Sequence, residues 1–339
     1  MEKIVIEGRD NRSAILVGES IENLKKYIPD SGVFIITDEN VDKFHGKSFP
    51  DFPVYVIEPG EPSKDFPVVA KIYRWLLDEG ADRSSFIVGI GGGVVCDIAG
   101  FVAATFMRGI PFGFVASSLL AQVDASVGGK NGVNLEGYKN IVGTFSQPDF
   151  VICDTAMLHT LAENEFRNGM AEVIKHALIK DADKFTYLQT HRHALLNLQP
   201  DALNTIVSQS VKIKAAIVQA DEREQGIRRL LNFGHTWGHA IEKVSKIPHG
   251  QAVAIGMVFA AGYSVHQGYL KNEEYQKILN ILEDYGLPVL AQIDNNKVFE
   301  AMLKDKKRDR QNMHFILLES IGKAFVKETD IEALKSFAL

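Results

Sequence analysis

Residues 86 to 100 read Phe86-Ile87-Val88-Gly89-Ile90-Gly91-Gly92-Gly93-Val94-Val95-Cys96-Asp97-Ile98-Ala99-Gly100. The apolar run from Phe86 to Ile90 has the length and composition of a buried strand, and a helical segment follows the glycines. Glycines between a strand and a helix let the backbone approach a ligand closely, and the free N–H groups of a helix start attract a pyrophosphate. The stretch therefore predicts a strand, a turn and a helix that bind a dinucleotide.

This turn departs from the usual dinucleotide fingerprint G-x-G-x-x-G. Val94 stands where the third glycine belongs, and no acidic residue follows about twenty positions later for the ribose. The better ribose candidate is Asp38, which ends the upstream run Val33 to Thr37. We therefore predict a variant site with a different strand order. A glycine turn that serves only helix packing is the alternative.

Apolar, β-branched runs alternate with amphipathic segments in the first half of the chain. The predicted buried strands are Val33 to Thr37, Val54 to Ile57, Phe86 to Ile90, Phe112 to Ala116 and Phe150 to Cys153. Between them, Phe66 to Glu79 has helical spacing. The alternation predicts a Rossmann-like α/β domain with a mainly parallel sheet.

Helical patterns replace the strands after Asp154. They span Glu163 to Lys180, Ala202 to Ala220, Arg228 to Val244, Gln251 to Gln267, Asn272 to Tyr285 and Ile331 to Phe337. The exception is a small hairpin predicted at His314 to Leu318 and Ala324 to Lys327. We predict an α/β domain at residues 1–155 and an all-α domain at residues 156–339.

Composition and charge exclude several classes of function. The 339 residues carry 37 Lys and Arg against 43 Asp and Glu, a net charge of −6 with no block of like charge, which argues against a nucleic-acid partner. The most apolar region, Phe86 to Val123, is interrupted by Asp97 and Arg108, so no membrane span is expected. The first residues lack the apolar core of a signal peptide, which predicts a cytoplasmic protein. Cys96 and Cys153 are predicted to be buried thiols.

A second glycine turn, Asp124-Ala125-Ser126-Val127-Gly128-Gly129-Lys130, precedes the pair Lys139-Asn140. Such a turn can aim backbone N–H groups and an ammonium at one anion, although the spacing is not that of a P-loop. The alternative is an exposed lysine beside a turn.

The segment around residue 235 contains two histidines, His235 and His239, at helical spacing i and i+4. One helical face then presents both imidazoles, as in many metal sites, but Thr236 stands where a zinc protease has its general-base Glu. Further candidate ligands are His249 and Glu172. One carboxylate and two imidazoles would leave coordination positions open for chemistry. Taken singly, each histidine is better explained by packing or solvation, and Glu172 by an ordinary surface pair with Lys175 or His176.

Cations lie among apolar residues near these candidates. Lys175, Lys214 and Arg228 suggest a pocket for a substrate that carries carboxylate and phosphate. For the run Asp305 to Arg308, a solvated face is the more conservative interpretation.

Together the motifs resemble the 3-dehydroquinate synthase family along nearly the whole chain. The segments that carry the resemblance are Pro59 to Lys64, Gly91 to Asp97, Phe106 to Gly109, Leu119 to Lys130, Lys139 to Gly143, Gly169 to Lys175, Asp221 to His239, His249-Gly250 and Asp305 to Lys307. The resemblance implies an NAD-binding α/β domain, a helical domain, an active site in the cleft between them, and a homodimer.

It also implies a role for each matching residue. A divalent metal, zinc or cobalt, would be held by Glu172, His235 and His249, whereas His239 would contact substrate. The implied substrate residues are Asp124, Lys130, Asn140, Lys175, Lys214, Arg228, Asn232, His239 and Lys306 or Lys307, with Arg108 supplied by the partner subunit. The implied NAD residues are Asp38, Glu61, Lys64, Gly92, Gly93, Asp97, Ser117, Ser118, Lys130, Lys139 and Thr160.

The implied reaction converts 3-deoxy-D-arabino-heptulosonate 7-phosphate to 3-dehydroquinate and phosphate, a step of aromatic amino-acid biosynthesis. Three alternatives stay open: another sugar-phosphate cyclase, a metal-dependent polyol dehydrogenase of the glycerol dehydrogenase type, and a non-catalytic NAD-binding paralogue. A dehydrogenase would not need the phosphate site of Lys130 and Asn140.

The chain departs from the family pattern at a few positions. Ala116-Ser117-Ser118 stands where the family usually has Pro-Thr-Thr or Pro-Thr-Ser, and the serines keep the hydroxyls. Asn131 replaces the usual Thr, and Gln311 lies near an expected Gly. Gln251 replaces the Glu that usually follows His-Gly. If residue 251 orients a ligand histidine, the change would weaken metal affinity or shift metal preference.

Overall fold

The computed structural model describes residues 1–8, 12–305 and 312–338. They form two compact units. The first unit comprises Met1–Phe166 and Leu203–Gln219, and the second comprises Arg167–Ala202 and Ala220–Leu339. The predicted boundary at residue 155 differs from this division in two respects. The first unit extends to Phe166, and it also includes most of a later helix.

The first unit is built on a mostly parallel sheet. Its strands are β1 (Glu2–Glu7), β2 (Arg12–Val17), β3 (Val33–Asp38), β4 (Val54–Ile57), β5 (Phe86–Gly91), β6 (Phe112–Ala116) and β9 (Phe150–Cys153). They are ordered β1-β2-β9-β6-β5-β3-β4, and only the β1–β2 pair is antiparallel. Every residue of β5, β6 and β9 is buried, as expected for parallel strands covered on both faces. The predicted strands are confirmed, whereas β1 and β2 were not predicted.

The strand order has a point of reversal beside β3. From β3 the chain moves outward to β4 and then crosses to β5 on the other side. Ligands of open α/β sheets bind outside the carboxyl ends of the strands at such a point. Thr37 pairs with Ile90, so Asp38 and Gly91 end neighbouring strands there.

Helices and a hairpin complete the first unit. They are α1 (Glu39–His45), α2 (Phe66–Asp78), α3 (Gly93–Thr105), the antiparallel strands β7 (Lys130–Leu135) and β8 (Tyr138–Phe145), and residues Leu203–Gln219 of α7 (Pro200–Ala220). The predicted helix from Phe66 is confirmed. The β7–β8 hairpin was not predicted.

The second unit is helical with one hairpin among its described residues. Its elements are α4 (Glu163–Lys180, from Arg167 on), α5 (Ala182–Thr190), α6 (Arg192–Leu196), α8 (His235–Ser245), α9 (His249–His266), α10 (Asn272–Asp284), α11 (Asn295–Asp305), α12 (Ile331–Ala338) and the antiparallel strands β10 (Asn312–Ser320) and β11 (Lys323–Asp330). The predicted hairpin is confirmed, and α5, α6 and α11 are additions.

One helix prediction is wrong. The span from Arg228 to Val244 is not continuous, because Gly234 has a left-handed φ of 78° that no helix accommodates. A 3₁₀ turn, Ile227–Asn232, precedes this break and α8 follows it. The break places His235 at the start of α8.

Two predictions from composition can be checked against the fold. Both cysteines, Cys96 and Cys153, are free and buried, as predicted. Among the described residues, every helix is too short or too polar to cross a bilayer.

Candidate active site

The predicted pyrophosphate site lies where β5 meets α3. Gly92 is the N-cap residue, its backbone is extended, and no side chain caps the helix. The N–H groups of the first turn of α3 are therefore available to an anion. A β-carbon on Gly92 would lie 3.3 Å from Ser118 Oγ, and one on Gly93 would lie 3.1 Å from Ala125 Cβ. Side chains there would fill the space that a pyrophosphate requires.

Three charged residues predicted to bind NAD, Glu61, Lys64 and Asp97, lie close together. Lys64 is buried and pairs with the Asp97 carboxylate of α3. Burial raises the pKa of Asp97. The Lys64 ammonium counteracts this increase, and the nearby Glu61 carboxylate adds to it. The Glu61 carboxylate accepts a hydrogen bond of 2.8 Å from Asn134 Nδ2.

Of the other predicted NAD residues, Asp38 ends β3, Ser117 and Ser118 follow β6, and Thr160 ends a 3₁₀ turn after β9. Asp38 caps α1 by accepting hydrogen bonds from two backbone N–H groups, and burial raises its pKa. Thr160 Oγ1 lies 2.7 Å from His45 Nε2. Ser117 donates its N–H to the Gly91 carbonyl at 2.9 Å. Ser118 Oγ accepts a hydrogen bond from a backbone N–H of the following turn.

The β7–β8 hairpin carries the predicted anion residues Lys130, Lys139 and Asn140. Lys130 begins β7 directly after Gly129, and Asn140 adopts a left-handed φ of 51°, a conformation that asparagine tolerates better than most residues. A β-carbon on Gly132 would lie 3.2 Å from the Val142 carbonyl oxygen, a tight contact, so the glycine favours close pairing of the two strands.

Lys214 of α7 is buried and belongs to the first unit. Its ammonium pairs with the Asp124 carboxylate and donates a hydrogen bond to the Asp124 carbonyl at 2.6 Å. The predicted substrate residues Asp124 and Lys214 are thus in direct contact.

Arg228 and Asn232 lie in the second unit, within the 3₁₀ turn Ile227–Asn232 that precedes α8. The buried Arg228 guanidinium donates to the Glu222 carbonyl, and Asn232 donates to the Glu224 carboxylate. The Asp221 carboxylate accepts three backbone N–H groups of the same loop, which fixes its shape.

Two predicted residues require separate mention. Arg108 of the first unit is exposed and follows Met107; both have left-handed φ angles, of 73° and 49°. Lys306 and its alternative Lys307 lie outside the described residues.

The predicted metal ligands come together in the second unit. Glu172 of α4, His235 at the start of α8 and His249 at the start of α9 each offer a ligand atom within 4.8 Å of the others. Glu172 Oε1 lies 3.5 Å from His235 Nε2 and 3.6 Å from His249 Nε2. Glu172 is fully buried; its Oε2 pairs with the Lys175 ammonium, whereas its Oε1 faces the two imidazoles without a hydrogen bond of regular geometry. A divalent cation would satisfy this oxygen.

The second nitrogen of each imidazole faces an acceptor. His235 Nδ1 lies 3.1 Å from the Phe233 carbonyl, and His249 Nδ1 lies 3.4 Å from Glu242 Oε2. Such partners fix the tautomer that leaves Nε2 free to ligate a metal. Glu242 therefore faces His249 Nδ1, which is the orienting role that the sequence analysis considers for residue 251.

The charges of the group suit a cation. Lys175 and the two histidines outweigh burial and hold the pKa of Glu172 well below its usual range. Burial, with help from Lys175, lowers the pKa of His235 to about 3, so this ring is neutral. Burial would lower the pKa of His249, but the neighbouring Glu172 and Glu242 carboxylates outweigh burial and raise the pKa to about 9. The carboxylates that attract a proton to His249 would also attract a metal ion.

His239 takes part in an alternative group with Glu242 and His249. The ring centroids of His239 and His235 are 5.2 Å apart, so both rings lie on one side of α8 as the i, i+4 spacing predicts. This group is more exposed and lacks the buried Glu172. The group with Glu172 is the better metal site.

Sequence reasoning missed Asn134 and Glu242. Asn134 contacts Glu61, 73 residues away, so only the fold reveals it. Glu242 follows His239 by three positions, a spacing that places both on one helical face and could have drawn attention to it.

Comparisons with known proteins agree with this picture. The 3-dehydroquinate synthase N-terminal family matches residues 54–168, and the 3-dehydroquinate synthase C-terminal family matches residues 169–308. A 3-dehydroquinate synthase from Dehalococcoides mccartyi is 42% identical over 337 residues, which cover 95% of this chain and 94% of the relative.

Solved structures show the same fold. A 2-deoxy-scyllo-inosose synthase, complexed with carbaglucose-6-phosphate, NAD⁺ and Co²⁺, has a TM-score of 0.88 at 26% identity and covers 99% of both chains. A 2-epi-5-epi-valiolone synthase from Streptomyces hygroscopicus, with NAD⁺ and Zn²⁺ bound, has a TM-score of 0.87 at 26% identity and covers 100% of this chain and 99% of its own. The matches over both halves of the sequence establish that this chain belongs to the 3-dehydroquinate synthase family.

Proposed function

We propose that the protein is a 3-dehydroquinate synthase, a carbon–oxygen lyase that converts 3-deoxy-D-arabino-heptulosonate 7-phosphate to 3-dehydroquinate and phosphate. Membership of the family, with the Glu172, His235 and His249 group intact, is the observation that carries this proposal. We propose one divalent cation, zinc or cobalt, and one NAD as cofactors. Both kinds of group are bound in the structural relatives.

The residues present fit both cofactors. Glu172, His235 and His249 would hold the cation and leave coordination positions open, while the α3 N-terminus, Gly92 and Gly93 would bind the NAD pyrophosphate. When bound, the cation supplies a Lewis acid for a substrate alcohol and nicotinamide supplies a reversible hydride acceptor.

The chain's own residues bind and orient the substrate. Lys130 and Asn140 would bind its phosphate, and Lys214 and Arg228 would contribute positive charge for its carboxylate. Lys175 beside Glu172 would hold a proton or donate a hydrogen bond where an oxygen anion develops. The departing phosphate can accept the proton released from the neighbouring C–H group, so no additional basic side chain is required.

Two finer proposals accompany this one. We propose a homodimer, because the exposed, left-handed turn at Arg108 suits a residue that reaches a partner subunit. We propose a cytoplasmic location, because NAD and phosphorylated sugars are metabolites of that compartment. Sedimentation of the purified chain and fractionation of cells test them.

A comparison of substrates tests the proposed reaction. The protein would be supplied with NAD⁺, a divalent cation and either the heptulosonate phosphate, a heptulose phosphate without the carboxylate, or glycerol. Phosphate release from the first substrate alone supports the proposal. Preference for the heptulose phosphate would indicate another sugar-phosphate cyclase. Formation of NADH from glycerol would indicate a dehydrogenase, and the absence of product from every substrate would indicate a binding protein.

A further inference from the structure

Asn134 of β7 makes three hydrogen bonds with two separate segments of the first unit. Its N–H donates to the Lys64 carbonyl at 2.7 Å, and its side-chain Nδ2 donates to Glu61 Oε1 at 2.8 Å. Its Oδ1 accepts the N–H of Asn140 at 2.9 Å. Both ends of one planar amide are thus engaged at the same time.

The two segments serve different ligands in the proposed function. Glu61 and Lys64 belong to the proposed NAD site, and Lys64 continues the network to Asp97. Asn140 belongs to the proposed phosphate site. A single side chain therefore joins groups that bind the cofactor to a group that binds the phosphate.

The contact with Asn140 controls a strained conformation. Asn140 has a φ of 51°, which costs free energy for any residue other than glycine. The bond from its N–H to Asn134 Oδ1 offsets part of that cost and selects this backbone geometry. If the amide of Asn134 turns, Glu61 loses its donor and Asn140 loses its acceptor together.

We propose that Asn134 is a positioning residue that couples NAD binding to phosphate binding. A ligand that orders Glu61 also fixes the amide of Asn134 and thereby the backbone of Asn140, so the second ligand loses less conformational entropy on binding. The coupling is reciprocal by thermodynamic linkage. The inference rests on the proposed function for the identity of the two ligands.

Two substitutions separate the two ends of the amide. Asn134→Asp keeps an acceptor for Asn140 but removes the donor to Glu61 and sets two carboxylates against each other. Asn134→Leu removes both side-chain contacts and leaves the backbone bond to Lys64. Asn272→Asp makes the same chemical change at an exposed site on α10 and serves as the matched control.

The test is calorimetric titration of the full chain, loaded with divalent cation, with NAD⁺ in the presence and absence of inorganic phosphate. For the parent and Asn272→Asp we expect phosphate to lower the Kd for NAD⁺ by about fivefold or more. In both Asn134 variants the two Kd values should become equal. A merely structural role would weaken binding or lower the melting temperature without changing the ratio.

Two results would overturn the inference. One is a parent protein in which phosphate leaves the affinity for NAD⁺ unchanged. The other is undiminished coupling in Asn134→Asp, which is informative even if Asn134→Leu fails to fold. Because these titrations need no turnover, they fail or succeed independently of the substrate comparison that tests the proposed reaction.

Discussion

Glu242 illustrates how one side chain outside the predicted site can set its chemistry. Its carboxylate faces His249 Nδ1, so it holds the imidazole with Nε2 toward Glu172. We expect Glu242→Gln to weaken zinc or cobalt affinity by roughly 10- to 100-fold, the usual effect of losing such a partner. Competition with a chromogenic chelator measures the affinity.

Gln251→Glu is the matched comparison, because it restores the carboxylate that the family usually has next to His249. Since Glu242 already occupies the partner position, we expect this variant to bind metal no more tightly than the parent. Tighter binding by Gln251→Glu, with no loss in Glu242→Gln, would show that the wrong carboxylate has been assigned.

Lys184 of α5 is a buried cation that the site does not use. It is fully buried, and burial lowers its pKa to about 7 against the partial opposition of Asp181. Between about pH 7 and pH 10 the unfolded chain binds more protons at this lysine than the folded chain, so this group makes stability rise with pH. Below about pH 7 the lysine is charged in the folded chain as well, so the free-energy cost of burying it is largest there.

We therefore expect Lys184→Met to raise the free energy of unfolding by about 1–4 kcal/mol near pH 6, with an advantage that shrinks towards pH 10. Urea unfolding across this range measures it. Lys277→Met, on the exposed face of α10, should show no such trend. An advantage for Lys184→Met that is the same at every pH would contradict the explanation.

At the scale of elements, the packing of α8 against α9 brings two proposed ligands together. A β-carbon on Gly256 would lie 1.9 Å from the Gly234 carbonyl oxygen, so the helices can pack this closely only with glycine there. His235 and His249 begin these two helices. The distance between His235 and His249 therefore depends on the contact between Gly256 and Gly234, neither of which is a proposed ligand.

Gly256→Ala should push the helices apart, lower stability by about 1–3 kcal/mol and weaken metal binding as well. Gly262→Ala on the same helix is the control, because its β-carbon would meet only side-chain atoms, the nearest 3.5 Å away. Thermal unfolding and metal titration of both variants check the prediction. Equal behaviour of the two variants would contradict it.

The elements also show what the sequence could predict. The strands β5, β6 and β9 are continuous apolar runs, and such runs identify buried parallel strands without further information. The β7–β8 hairpin has few apolar residues and no clean alternation, so its pattern did not separate it from a loop. The break at Gly234 depends on contact with α9, which helical periodicity does not contain.

The sequence also predicted only part of the candidate site. Spacing alone selected His235 and His239, which do lie on one side of α8, but a third ligand from another helix cannot follow from local spacing. The sequence offered His249 and Glu172 only as further candidates, the resemblance to the family assigned both as ligands, and the structure brings them together. The contacts of Asn134 and Glu242 depend on the packing of elements and were not predicted.

Over the whole molecule, the placement of charge agrees with an anionic substrate. The net charge is −6, yet several cations are buried, each against an acceptor. They are Lys64 at Asp97, Lys175 at Glu172, Lys214 at Asp124 and Arg228 at the Glu222 carbonyl. Burying a cation costs several kcal/mol, and all four are predicted NAD or substrate residues, so their burial favours the binding roles proposed for them.

The central claim is that the protein oxidises and re-reduces its substrate within one catalytic cycle while phosphate leaves. The measurement is simultaneous detection of phosphate and NADH with the heptulosonate phosphate in large excess over NAD⁺, with and without a metal chelator. We expect phosphate to be released until the substrate is consumed, with no net NADH, and we expect the chelator to stop it. Release of phosphate that ends when NAD⁺ is exhausted, with matching accumulation of NADH, would contradict the account.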